Sequence, residues 1–363
     1  MASWDEAPAE RQEFDRARLL AALDALRELP EIEGLRSGLA DLQAALGRGS
    51  FLAAAELPSE ARVALRPGVL RAELCQVSEA YTLERARHYL RRLRGGIARP
   101  HSGAVNDINL ARWKEYDQVL TDSLWLIEKR DTSGAHLGHY WGNFVPQIPH
   151  QLLLRYTKRG DWVLDAFAGS GTTLIECRRV GRHCLGVELN PAVAAEARAL
   201  VENEANPRGV VTDLLVGDSR AADIEAALAR HGAEKAQLLL LHPPYYDIIR
   251  FSTDERDLSN AASCEDFLRL FGEVVEHVTP FLEAGRYCAL VIGDKYGKGE
   301  WLPLGFHCMN EVLRRGYTLK SIVVKNFEQT RAKRNQEELW RYRALVGGFY
   351  VFKHEYIMIF QKT

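Results

Sequence analysis

No stretch of this 363-residue sequence approaches the roughly 18 consecutive apolar residues that a membrane-spanning helix needs. The opening residues, MASWDEAPAERQEFDR, are polar and acidic, without the apolar core of a secretory leader. Paired cysteines are also missing. The six present (Cys75, Cys177, Cys184, Cys264, Cys288 and Cys308) are scattered with no Cys-x-x-Cys spacing, which argues against a zinc site or a disulfide scaffold. No metal is expected. Nor is there an excess of either charge: 47 Lys+Arg against 49 Asp+Glu exclude a wholly basic nucleic-acid coat but leave local patches open. No internal repeat or low-complexity tract is present, apart from richness in alanine. With 47% hydrophobic and 26% charged residues, wholesale disorder is excluded too. These absences predict a soluble, cytoplasmic protein. The length suits two domains of about 100–200 residues, or one α/β domain with an attachment.

The first third reads as helical. FDRARLLAALDALRELP and IEGLRSGLADLQAALGRG repeat leucine and alanine at three- and four-residue spacing, punctuated by Pro30 and Gly47. SEAYTLERARHYLRRLR predicts a further helix ending at Gly95 and Gly96, and INLARWKEYDQVLTDSLWLIEK another. Residues 81–99 hold six arginines and one glutamate, either a solvated helix face or a phosphate-contacting one. The helical N-terminal region is taken as 1–135, serving as a DNA clamp, in dimerisation or simply in packing.

From residue 160 the pattern changes to strands alternating with helices. WVLDAF, HCLGVELN, DLLVGDSR, QLLLLHPPYYD and GRYCALVIGDK are short apolar strands, and YTLKSIVVKNF and FKHEYIMIFQK are rich in β-branched and aromatic residues. Such alternation predicts an α/β fold, a mainly parallel sheet with helices on both faces and an antiparallel edge hairpin from the last two runs. The second domain is taken as 136–363.

The first of these strands ends in DAFAGSGTT, where Gly169 and Gly171 allow a tight turn and close ligand approach before a helix N-terminus. The segment is neither a P-loop nor a full G-x-G-x-x-G. Glu188, about 20 residues on, is placed to accept from both hydroxyls of an adenosine ribose. Asp218 ends the third strand, where an acid reaches an adenine amino group. Asp165, Glu188 and Asp218 at successive strand ends point to a bound adenosine compound.

The fourth strand runs into Leu241-His242-Pro243-Pro244-Tyr245-Tyr246, where two prolines stiffen the chain and remove two backbone donors. DAFAGSG together with HPPY resembles the S-adenosylmethionine-dependent DNA amino-methyltransferases, whose signatures are a D-x-F-x-G-S-G-type cofactor loop and a (D/N/S)-P-P-(Y/F/W) catalytic loop. The resemblance covers roughly residues 140–363 and implies a Rossmann-like fold with S-adenosyl-L-methionine as cofactor. It implies that Asn143, Phe144, Pro146 and Gln147 hold the methionine end of the cofactor. Asp165, Phe167, Ala168, Gly169, Ser170, Gly171, Thr172 and Thr173 then form the cofactor loop. Glu188, Leu189, Asn190, Asp218 and Ser219 complete that site. His242, Pro243, Pro244 and Tyr245 are implied as catalytic, and Tyr246, His354 and Tyr356 as the base pocket. Asp257-Leu258-Ser259-Asn260 and Ile292-Gly293-Asp294 also look like segments of a DNA-methylase subfamily.

The chemistry explains the loop. A base amino nitrogen is a poor nucleophile because its lone pair is delocalised into the ring. Acceptors at His242 and at the Pro243 carbonyl would free that lone pair for in-line attack on a sulfonium methyl. Tyr245 would stack on a base flipped out of the duplex. Methylation at cytosine C5 would need a cysteine nucleophile, usually after proline, and none of the six follows one. His242 departs from the family pattern. Only the neutral ring accepts, so activity is expected to fall below a histidine pKa of about 6.5. The missing Asp favours cytosine N4 over adenine N6.

Residues 314–353 hold ten Lys/Arg and three Glu, a candidate DNA-recognition segment with Lys325, Arg331, Lys333, Arg334, Arg341 and Arg343 as DNA contacts. The expected partner is double-stranded DNA, with a cognate restriction or defence protein and a homodimer also open. The alternatives are an RNA guanine-N2 or protein-glutamine methyltransferase, or a catalytically silent nucleic-acid-binding subunit.

Overall fold

The computed structural model describes residues 11–99, 102–136, 140, 142–297, 299–326 and 337–363. The chain divides between Val119 and Leu120 into two units, each with its own core.

The N-terminal unit contains β1 (Gln12–Asp15), α1 (Arg16–Arg27), α2 (Ile32–Gly47), β2 (Arg62–Leu65), α3 (Pro67–Ser78) and α4 (Leu83–Ala98). Leu19, Leu23 and Leu26 of α1, Leu35, Leu39 and Leu42 of α2, and Leu70 and Leu74 of α3 close one core with Leu90 and Leu93 of α4. That is the outcome a three- and four-residue leucine spacing dictates. The helix expected through Ser78 is interrupted, because the Thr82 side chain caps a fresh start by accepting from Arg85 N. It then runs past Gly95 and Gly96 to Ala98. Gly96 serves packing rather than termination, since a Cβ there would come within 2.9 Å of Arg112 Cγ and 3.1 Å of Ala111 O. No α-helix forms over 108–129. Asn109 caps a short 3-10 turn, Leu110–Glu115, and Arg112 leaves helical dihedrals.

The arginines of α4 are largely spent inside this unit. Arg87 donates to the carbonyls of Arg27 and Leu29, Arg92 to Glu73 and Gln76, and Arg94 to Asp24. These three tie α1 and α3 to α4, so the phosphate-clamp reading of that helix loses them.

The second unit is a three-layer α/β/α fold. In chain order it comprises β3 (Leu124–Trp125), α5 (Gln147–Tyr156), β4 (Trp162–Asp165), α6 (Thr172–Val180), β5 (His183–Glu188) and α7 (Pro191–Asn203). There follow β6 (Thr212–Val216), α8 (Ile224–Ala229), β7 (Ala236–Leu241), α9 (Cys264–Val278) and β8 (Leu282–Ile292). A small hairpin, β9 (Lys295–Gly297) and β10 (Glu300–Leu302), leads to α10 (Leu304–Leu313), β11 (Tyr317–Asn326), α11 (Glu337–Gly347) and β12 (His354–Lys362).

The central sheet has the order β3-β11-β12-β8-β7-β4-β5-β6. Its strands are parallel except β12, which runs antiparallel between β8 and β11. The expected terminal pair is therefore present, with β3 pairing beyond it in parallel with β11. Residues 120–135, grouped by pattern with the helical region, belong to this unit through β3 and through Ile127 N donating to Asn326 Oδ1 (2.7 Å). Strand residues alternate between two cores. Leu164, Leu239, Leu241 and Leu290 face α9 and α10, while Val163, Leu238, Leu240 and Val291 face α5, α6 and α7. No helix among the described residues is long and apolar enough to cross a membrane.

The order reverses between β4 and β7, so the loops leaving their carboxyl ends diverge across a crevice. Because β12 runs the other way, its first residues share that edge with the last residues of β11.

Candidate active site

The loop after β4 is braced from behind and open in front. Asp165 is buried, accepts from Phe167 N (3.0 Å) and stays off the cavity wall. Burial pushes its pKa up to about 6 against hydrogen bonds from Thr173 and Phe167. Gly169 and Gly171 take φ of +50° and +80°, the left-handed region that favours glycine. Glu188 fixes the turn, one oxygen accepting from Gly169 N (2.9 Å) and the other from Asn190 N (2.8 Å). Burial raises its pKa, opposed by those two N–H groups. Thr172 Oγ1 donates to Asn143 Oδ1 (2.6 Å), joining the loop to the upstream segment. Ser219 Oγ donates to Ala166 O (2.5 Å).

In front of this loop lies a cavity of about 980 Å³. Its wall includes Asn143, Phe144, Phe167, Ala168, Gly169, Ser170 and Thr172 from the expected cofactor set, with Glu188, Leu189, Asn190, Asp218 and Ser219. Pro146, Gln147, Gly171 and Thr173, like Asp165, are not on the wall. Gln147 instead accepts from Asp131 N and donates to Lys129 O, fixing the strand of chain before the site. Asp218 reaches the cavity already bound by Arg220, whose Nη2 lies 2.6 Å from Oδ2. It is a shared acceptor, not a free one.

His242, Pro243, Pro244 and Tyr245 all line the same cavity. The Phe144 ring packs 4.6 Å from that of His242, joining the two halves of the site. Tyr245 OH donates to Glu355 Oε2 (2.9 Å) and lies 3.4 Å from His242 Nε2. Lys325 Nζ donates to Glu355 Oε1 (3.0 Å). Burial lowers the pKa of His242 to about 4, with Glu355 opposing and Lys325 adding to the fall. The expected loss of activity near pH 6.5 is thereby displaced. Since the ring is neutral above its pKa, its contribution at saturating substrates is expected to stay flat from pH 8 to 5.5 and to fail only towards pH 4. A rate profile with a titration near 6.5 that vanishes in His242→Asn would contradict this.

Three further expectations are corrected. Lys325 is 5% exposed and paired with Glu355 at the cavity wall, so it is not part of an exposed basic surface. Tyr246 is off the wall: at φ +54° it turns away, its ring 5.8 Å from Phe267 and covered by Lys295. Tyr356 donates to Asp294 Oδ2 (3.1 Å) behind the pocket, while His354 lines it. Arg341 and Arg343 are exposed on α11. Arg331, Lys333 and Arg334 lie outside the described residues.

The residues missed are mainly aromatic, with Glu355 among them. Tyr140 stacks on Phe251 (6.2 Å) and Tyr296 on Phe349 (3.9 Å), and all four line the cavity with Phe352 and Trp340. Glu355 alternates with Tyr356 along its strand, so assigning Tyr356 to the pocket pointed away from the residue that lines it. Away from the cavity, Asp131, His136 and Glu176 cluster within 4.8 Å. Both Glu176 oxygens are taken by His136 (2.6 Å) and His150 (2.7 Å), and Arg179 bonds Asp131 (3.1 Å), so the charges are met by the protein itself.

Among solved structures, TrmN from Thermus thermophilus aligns with 61% of this chain and 49% of its own, at 17% identity and TM-score 0.38. The type II methyltransferase M.MjaII of Methanocaldococcus jannaschii is 40% identical over 67 residues, 18% of this chain and 13% of that protein. M.Cfr9I of Citrobacter freundii, also a type II methyltransferase, is 36% identical over 69 residues, 19% and 22% of the two chains. Residues 99–199 match the family model described as DNA methylase. Over these stretches the chain is similar to the DNA methylase family and to type II methyltransferases. The family-model match takes in the cofactor loop and ends before the HPPY loop. The alignments span under a quarter of either curated relative.

The similarity to methyltransferases supports S-adenosylmethionine as the cofactor, and the residues present fit it. A glycine turn without Cβ atoms, carboxylates at two strand ends, and the Thr172–Asn143 pair surround one cavity at the β4–β7 switch point. Glu188 and Asn190 would hold its ribose end, and Asn143 and Phe144 its methionine end. Bound there, it supplies an electrophilic sulfonium methyl.

Proposed function

We propose that this protein methylates an exocyclic amino nitrogen of a flipped DNA base, N4 of cytosine ahead of N6 of adenine, using S-adenosylmethionine. One observation carries the reading: His242, at the carboxyl end of β7, lines the same cavity as the cofactor loop and packs on Phe144 of the cofactor side, with burial lowering its pKa. At neutral pH it is an acceptor without charge. With the Pro243 carbonyl it would take up the two amino N–H bonds, localise the lone pair and aim it at the methyl. No covalent enzyme intermediate is needed. The aromatic wall of Phe349, Phe352 and Trp340 suits the faces of an unstacked base.

The exposed Arg341 and Arg343, with Arg331, Lys333 and Arg334, would contact the backbone of double-stranded DNA. The N-terminal unit would act as a clamp, in dimerisation or in packing, and a restriction partner and a cytoplasmic setting belong to the same reading. Incubation with methyl-labelled S-adenosylmethionine and mixed-sequence duplex DNA is expected to put label on the DNA. Label on RNA or on protein glutamine instead, with none on DNA, would overturn the substrate. Cofactor binding with no transfer to any of the three would mark a silent subunit.

A further inference from the structure

The acceptor loop is backed by a chain of buried polar groups with a fixed direction. Lys325 and Glu355 face each other across the β11–β12 pair and are 5% and 8% exposed. Burial alone would raise the Glu355 pKa, but the Lys325 charge, then His242 and the hydrogen bonds from Lys325 and Tyr245, hold it below the usual range. An ionised carboxylate only accepts, so its contact with Tyr245 at 2.9 Å takes the hydroxyl proton. A phenol has just one. Its oxygen therefore presents lone pairs to His242 Nε2, 3.4 Å away.

A neutral imidazole carries its proton on one nitrogen, set by the hydrogen bond it makes. We infer that Lys325, Glu355 and Tyr245 are positioning residues that hold neutral His242 as the Nε2–H tautomer, leaving Nδ1 as the lone-pair acceptor for the substrate amino group. The opposite tautomer would set the Nε2 lone pair against those of Tyr245 and offer the substrate a second N–H. Two neighbours keep the rings in place. Phe144 packs on His242, and Gly293 at the end of β8 leaves room for Tyr245, whose Cε2 would stand 3.1 Å from a Cβ there. Among the described residues no other hydrogen-bonding group meets the His242 ring. A histidine thus does here what the usual Asp, Asn or Ser does without assistance. The inference rests on the proposed function only for the identity of the group that Nδ1 receives.

Nitrogen-15 labelling of the histidines in the full chain, read through long-range proton couplings, reports the tautomer directly. The His242 signals are assigned by their loss in His242→Gln. At pH 7 the wild type is expected to show His242 as Nε2–H. Tyr245→Phe keeps the ring and any stacking but removes the acceptor. It is expected to give a mixture of tautomers and a kcat about tenfold lower, the worth of one neutral hydrogen bond, with KM for S-adenosylmethionine unchanged. Glu355→Gln presents an amide donor to Tyr245, turns its hydroxyl towards Nε2 and is expected to move the proton to Nδ1. A wild-type Nδ1–H form, or Tyr245→Phe with unaltered tautomer or unaltered kcat, would overturn the inference. The tautomer is read without substrate, so a failure of the DNA assignment leaves this result standing.

Discussion

His242→Ala is expected to lower the single-turnover rate of methyl transfer by about 10²–10³-fold, the usual loss when one preorganised group aimed at the reacting atoms is removed. The effect should fall on the chemical step. His242 meets the cofactor side of the site through the Phe144 ring at 4.6 Å, so affinity for S-adenosylmethionine should change little. His242→Asn restores an acceptor oxygen near the same place and should recover a large part of the rate. A drop in rate matched by an equal drop in cofactor affinity would assign the histidine to binding. A rate within twofold of wild type would leave the Pro243 carbonyl as the only acceptor needed.

The second large effect lies on the other wall. Glu188→Gln should weaken S-adenosylmethionine binding by about 10- to 100-fold, measured by calorimetry. Each Glu188 oxygen accepts one backbone N–H, from Gly169 at 2.9 Å and Asn190 at 2.8 Å. Glutamine keeps one of those acceptors and sets an NH₂ against the other N–H, loosening the turn that Gly169 makes. Hydrogen bonds to charged groups contribute about 1.5–3 kcal/mol, and each 1.4 kcal/mol is tenfold in affinity. Unchanged binding would mean that the loop geometry does not depend on this carboxylate and that Glu188 does not hold the ribose.

These two sites were legible in the sequence to different depths. The cofactor loop was readable because its glycines, its strand-end acids and its helix start are local, and local chemistry fixes them. Burial kept several expected residues off the wall: Asp165 braces the loop from behind, Gly171 and Thr173 shape it without facing the cavity, and Pro146 and Gln147 stand away from it. The alternation of strands and helices likewise predicted the sheet, with β12 pairing antiparallel as expected. What could not be read was long-range pairing. Lys325 looked like one of ten basic residues in a surface run. It faces inward only because β11 sets it opposite Glu355, a residue 30 positions away. The His242 pKa was misjudged for the same reason, since the burial that lowers it comes from segments remote in sequence. In the first third, leucine spacing located the helices, but the start of α4 was decided by a single capping threonine.

In the proposed reaction an uncharged histidine loop directs a base amino group at the methyl of S-adenosylmethionine. Identifying the methylated nucleoside tests it most directly: duplex DNA is incubated with the protein and labelled cofactor, digested to nucleosides and resolved by mass and retention. N4-methylcytosine is expected, and N6-methyladenine would keep the chemistry while reversing the choice of base. Label recovered as 5-methylcytosine would contradict the account, because carbon methylation requires a nucleophile that this loop does not contain.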